Sequence, residues 1–155
     1  MKRAQEMFHF PYFHGWAITV LRVVTGIVFF AHGWQKLFMG GLSGFEDLLV
    51  QNGVGAAYVV APIVAWVELI GGLALIVGLF TRWAAIPLMI DMISAAAIVH
   101  LRNGFFLPNG VEFALVLLAA TVSLFLAGSG ELSLDGVWSR RRGAPRTVSR
   151  EPVTA

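Results

Sequence analysis

The chain has 155 residues, of which 57% are hydrophobic and 13% charged, with a mean hydropathy of +0.77 and a formal net charge of +2. A charged fraction near half of the roughly 25% usual for soluble domains excludes a disordered chain, a nucleic-acid module and an ordinary soluble enzyme, and makes the bilayer the expected solvent. The absence of cysteine excludes disulfides, thiolate nucleophiles and Cys-ligated zinc or iron–sulfur clusters. The pI near 9.5 comes from basic residues clustered at the two termini, a topology signal and not a groove-binding face.

In chain order, residues 1–15 form an aromatic segment with Phe8, Phe10, Tyr12 and Phe13, followed by Trp16. Rings of this kind favour the headgroup level, so an interfacial segment is expected there. Lys2 and Arg3 precede it without a small-residue cleavage site, and no removable signal peptide is expected. Crossing a bilayer takes about 20 apolar residues at 1.5 Å each. Four stretches qualify, at residues 16–38, 57–80, 83–101 and 111–127. Met39-Gly40-Gly41, Thr81-Arg82, Pro108-Asn109-Gly110 and Gly128-Ser129-Gly130 punctuate them. The expected fold is all-α: an antiparallel bundle of four transmembrane helices over residues 16–135. A soluble bundle is disfavoured because residues 114–127 show no polar face. Ser43-Gly-Phe-Glu46 matches a capping box, and Phe45, Leu48 and Leu49 then share a face, which predicts a short amphipathic helix in the first loop. Residues 136–155, rich in Arg, Ser, Pro and Thr, are expected to be a disordered basic tail.

Lys2, Arg3, Arg82, Arg140, Arg141, Arg142, Arg146 and Arg150 fall on one side of a four-span arrangement, eight of the eleven basic residues. The positive-inside rule then places both termini in the cytoplasm.

Charge inside a bilayer costs at least about 2.5 kcal/mol per group near the centre, so intramembrane ionisable residues mark functional sites or buried pairs. Arg22, His32 and Lys36 lie on the first helix, Glu68 on the second, Asp91 on the third and Glu112 at the start of the fourth. The rise per residue sets Arg22 and Asp91 roughly 8–12 Å from the cytoplasmic edge, Glu68 and His32 roughly 18–22 Å, and Lys36 and Glu112 at the outer edge. Matching levels predicts Arg22 with Asp91 or Glu68, His32 near Glu68, and Lys36 with Glu112. Arg22, Gly26, Phe29, Gly33 and Lys36 form one helical stripe, and Ala74-x-x-x-Gly78 is a small-residue packing motif. Two readings of this polar column stay open: a structural ion-pair network, or the lining of a proton, ion, quinone or small-molecule site. His9 and His14 are interfacial by position. His32 and His100 are read as hydrogen-bonded bundle residues in preference to axial haem ligands. No metal-spacing motif is present, and no metal is expected.

The same residues carry a resemblance. Leu21-Arg22 with Gly26, His32-Gly-Trp-Gln-Lys36-Leu37, Glu68-Leu-Ile-Gly71-Gly72 through Gly78-Leu79 with Thr81-Arg82, Gly110-Val-Glu112, and Gly128-Ser-Gly-Glu-Leu-Ser133-Leu134-Asp135 follow in order. In these pieces the chain resembles the DoxX family of small four-span bacterial membrane proteins. Asp91 and His32 stand less clearly in that pattern. The resemblance implies a membrane subunit or scaffold of a redox assembly, for oxidative-stress defence or sulfur oxidation. Soluble oxidoreductases would be its partners and quinone a contact. Without cysteine the chain itself cannot carry a persulfide, so electrons in sulfur oxidation would pass to quinone or another subunit. The alternatives are a small-molecule or ion transporter using the charged column, as a homo-oligomer, and a purely structural membrane protein.

Overall fold

The computed structural model describes residues 11–142, with side chains over residues 15–138. The described residues form six α-helices: α1 (Pro11–Phe38), α2 (Gly41–Gln51), α3 (Ala57–Val77), α4 (Thr81–Ser94), α5 (Glu112–Ala127) and α6 (Leu134–Arg142). A π-helical segment, Ala95–His100, and a 3-10 turn, Leu101–Asn103, carry α4 onward to the far end of the bundle.

The packing follows the small residues. α1 lies antiparallel along α3, and α4 along α5, with α3 and α4 joining the two pairs. Between α1 and α3 the backbones touch at glycine. A Cβ on Gly33 would stand 2.8 Å from the Ala65 carbonyl, and one on Gly26 would stand 2.8 Å from the Gly72 carbonyl. Lipid supplies no hydrophobic drive between helices, so this close approach and the hydrogen bonds across it are what hold them together. Phe29, Leu75, Leu88 and Leu124 fill the centre. Large side chains such as Val24, Trp66, Ile90 and Leu126 point outward, as lipid-facing residues do.

Among the described residues, three helices are long and apolar enough to cross a membrane: residues 15–38, 57–77 and 81–103. The expected four-span count meets a shorter fourth helix. At 16 residues, α5 extends about 24 Å at 1.5 Å per residue, less than the roughly 30 Å hydrocarbon core.

The first-loop helix is present as α2, resting on the bundle: Leu49 is buried, and Leu42 and Phe45 pack with it against Ala57 and Ala61. The capping box is not used. Gly40, in the left-handed conformation at φ +76°, turns the chain so sharply after α1 that α2 begins at Gly41, before Ser43, and no side chain caps it.

Both ends depart from the expected boundaries. α1 extends back to Pro11, into the segment read as interfacial, and α6 runs across the expected tail boundary at residue 136. Residues 1–10, with Phe8, His9 and Phe10, and residues 143–155 lie outside the described residues, as do the side chains of Tyr12, Phe13 and His14.

Candidate functional site

Two polar centres occupy opposite ends of the bundle. The first, at the end where α3 finishes and α4 begins, is built on Arg22, which is 1% exposed. Its guanidinium donates to the carbonyls of Leu75, Ile76 (3.0 Å) and Leu132. Leu75 and Ile76 are in the last turn of α3, where carbonyls run short of helical partners and the helix dipole favours a cation; the Leu75 carbonyl also accepts the Gly78 amide at 3.2 Å. Arg22 therefore closes α3 and ties it to the segment after α5. Gly78, at φ +71°, leaves the space: a Cβ there would stand 2.6 Å from the guanidinium. Asp135 completes this end. Its two carboxylate oxygens accept the amides of Phe80 (2.8 Å) and Thr81 (3.0 Å), capping α4 from 54 residues away.

The second centre lies at the other end. Lys36 and Glu68 form a salt bridge, and Glu68 is only 4% exposed. The expected pairing of Lys36 with Glu112 is not what forms. Helical side chains lean toward the N-terminus of their own helix. On the antiparallel pair α1 and α3, Lys36 leans back into the bundle and Glu68 leans up to meet it. A level assigned from Cα position misses both tilts. Glu112 instead accepts the Leu107 amide through Oε1 at 2.7 Å, and its own amide donates to Phe105, so it secures the loop before α5. Arg22 meets neither Asp91 nor Glu68. Its carbonyl partners lie two turns of α3 beyond Glu68, about 10 Å along the axis.

The Asp91 carboxyl lies beside that of Glu68 and within the field of the Lys36 ammonium. Its Oδ2 is buried without a hydrogen-bond partner. The Phe45 ring of α2 covers Lys36, with the ammonium 4.5 Å from the ring centroid. Such a contact holds the cation without taking up its hydrogen-bond donors. His32, exposed, lies against Phe113 with ring centroids 5.9 Å apart. His100 Nδ1 is 2.9 Å from the Asn109 carbonyl oxygen.

These groups line one cavity of about 210 Å³, floored by Phe29, Met92 and Leu117. The structure thus brings together His32, Lys36, Glu68 and Asp91 from the sequence-predicted set, and leaves Arg22 and Glu112 outside it. Phe45 and His100 also line it. The sequence marked Phe45 only as part of an apolar face, and nothing in its spacing signalled a cation beside it. Among the described residues, no three His, Asp or Glu side chains converge to hold a metal ion. The arrangement offers an ammonium donor held by Glu68, one unpartnered oxygen of the Asp91 carboxyl and aromatic walls to a small polar group.

Comparison with known proteins agrees with the sequence resemblance. Residues 17–101 match the DoxX family model. The chain is 36% identical over 117 residues to "Putative oxidoreductase CatD" of Bacillus subtilis (strain 168), covering 75% of this chain and 82% of that protein. It is 31% identical over 142 residues to "Uncharacterized membrane protein Rv3486" of Mycobacterium tuberculosis, covering 83% and 85%. A Haemophilus influenzae protein is 32% identical over 136 residues, covering 84% and 94%. No solved structure matches the chain.

Proposed function

Because the chain belongs to the DoxX family of membrane proteins, we propose that it is the membrane-embedded subunit or scaffold of a redox assembly, and that its Lys36–Glu68–Asp91 cavity contacts quinone. The observation that carries this reading is a cavity that sets the Lys36–Glu68 pair and Asp91 among apolar side chains of the bundle. A relative named as an oxidoreductase supports the redox setting. We further propose four spans, α5 crossing with local thinning of the bilayer, and both termini in the cytoplasm of a bacterium. The cavity then opens toward the outer leaflet.

The side chains fit such a group. Lys36 Nζ, fixed by Glu68 and Phe45, donates to a carbonyl oxygen of the head. Asp91 Oδ2, buried without a partner, would accept from a hydroxyl of the reduced form. Phe29, Met92, Phe113 and Leu117 exclude water and raise the worth of both hydrogen bonds. Quinone, when bound, supplies two-electron, two-proton chemistry. With no cysteine in the chain, no thiol or disulfide of its own would supply the electrons, and a partner protein would.

The test is purification from native membranes in gentle detergent, followed by native mass spectrometry. Co-purified soluble oxidoreductase together with stoichiometric quinone is expected. A homo-oligomer carrying only phospholipid would overturn the proposal.

A further inference from the structure

Beside the cavity, an apolar groove of about 310 Å³ runs between α3 and α4, lined by Val60, Ile63, Val64, Val67, Ile90 and Ile98 among others. Ile63, Ile90 and Ile98 are exposed on the outer face of the bundle, where lipid lies. The groove and the cavity share one wall: Phe45, Asp91, Ala95 and Val99 line both. That wall is thin, being one aromatic ring, one carboxyl, an alanine and a valine. It stands where α4 departs from regular helix. Ala95 and Val99 belong to the π-helical segment, a form that concentrates at functional sites. Pro87, which cannot donate to the helical ladder, lines the groove further down.

Two polar side chains face this groove, Asp91 and Ser94. Ser94 Oγ is satisfied by the Ile90 carbonyl at 2.8 Å. Asp91 Oδ2 is not satisfied. A buried acceptor without a partner costs stability, and its place on the dividing wall gives that cost a use if a ligand supplies the donor. Size points the same way. Small-molecule sites usually start near 300 Å³. The cavity alone falls short of that and the groove alone only reaches it, whereas the two joined across the wall lie well inside the range.

We propose that the groove is the chain-binding half of the same site, so that the ligand is a long-chain amphiphile with an uncharged hydrogen-bonding head. It reaches Lys36 and Glu68 sideways from the bilayer, past Phe45 and Asp91, and not from the water above. This rests on the head-group reading given under the proposed function and adds to it the tail site and the route. The route requires Phe45 to give up its contact with Lys36 as the head arrives. Phe45 sits on α2, a helix joined to the bundle through glycines at both ends, Gly40 and Gly53. Asp91 marks the threshold by accepting a hydrogen bond from the head as it passes.

The experiment uses the full chain in phosphatidylcholine nanodiscs. Binding of decylubiquinone and of its chainless counterpart, ubiquinone-0, each held anaerobically in the reduced quinol form that supplies the donor for Asp91, is measured by calorimetry. Ser94→Trp and Ile98→Trp each fill the groove without lining the cavity, and thermal unfolding establishes which of the two is folded. The expected result is that a folded groove variant weakens decylubiquinone at least tenfold and leaves ubiquinone-0 unchanged. If both ligands bind the wild type and neither groove variant alters decylubiquinone, the tail site and the lateral route are overturned while the head site stands. If neither ligand binds the wild type, the head-group reading fails and this inference falls with it.

Discussion

Asp135 Oδ1 accepts the amide of Phe80 at 2.8 Å, joining the segment after α5 to the first turn of α4 across 55 residues. Phe80 has a left-handed backbone, φ +48°, rare for a side chain of that size. The Asp135 carboxylate and the Trp138 ring, whose centroid lies 6.1 Å from that of Phe80, hold it there. Replacing Asp135 by Ala should lower the stability of the bundle by about 1–2 kcal/mol, the usual worth of a helix cap. Asp135→Asn, which keeps one acceptor, should lose less. Thermal unfolding in a mild detergent measures both.

Arg22 gives a second prediction. Its guanidinium serves three carbonyls at once, which a Lys ammonium on a different stem cannot reproduce. Arg22→Lys should therefore be clearly destabilising and Arg22→Met more so, by about 2–3 kcal/mol or above, because the carbonyls of Leu75, Ile76 and Leu132 then lose a charged donor. Ligand binding by the folded fraction should be unchanged, since Arg22 does not line the cavity. Altered binding by folded Arg22→Lys protein would contradict the separation of the two centres.

The Lys36–Glu68 pair should behave differently. Lys36→Met alone strands a buried carboxylate and should cost about 3–5 kcal/mol. The double variant Lys36→Met with Glu68→Met removes both charges and should recover most of that loss. Recovered stability with lost quinone binding is the expected outcome, read by unfolding and by calorimetry on the same preparation. Recovered stability with undiminished binding would make the pair purely structural.

The contact of α1 with α3 should tolerate no added side chain. A Cβ on Gly72 would run into the backbone of Phe30, and one on Gly33 into the Ala65 carbonyl, neither of which can swing aside as a flexible side chain can. Gly33→Ala and Gly72→Ala should each cost about 1–3 kcal/mol through overpacking, whereas Gly44→Ala, where a Cβ meets open space, should be nearly neutral. Comparing the three unfolding midpoints tests this.

Much of this protein was legible in its sequence. The length and continuity of apolar runs dictate helices of bilayer length, since a chain in lipid must satisfy its own backbone. The stripe from Arg22 through Gly26 and Gly33 to Lys36 marks the face where helices meet, because only small residues let backbones approach. The cost of buried charge singled out Arg22, His32, Lys36, Glu68, Asp91 and Glu112, without separating those that line the cavity from Arg22 and Glu112, which do not. Tertiary structure decided which of these groups meet. Partners depend on the tilt of each side chain along its own helix and on helix rotation, so Lys36 reached down to Glu68 while Glu112 turned to its own loop. It also decided that Arg22 closes a helix and does not join the charged cluster, because which side chain reaches the carbonyls of a helix end leaves no mark in a sequence. The dividing wall of Phe45 and Asp91 was decided there too. A shared surface between a cavity and a groove exists only once α2, α3 and α4 are packed.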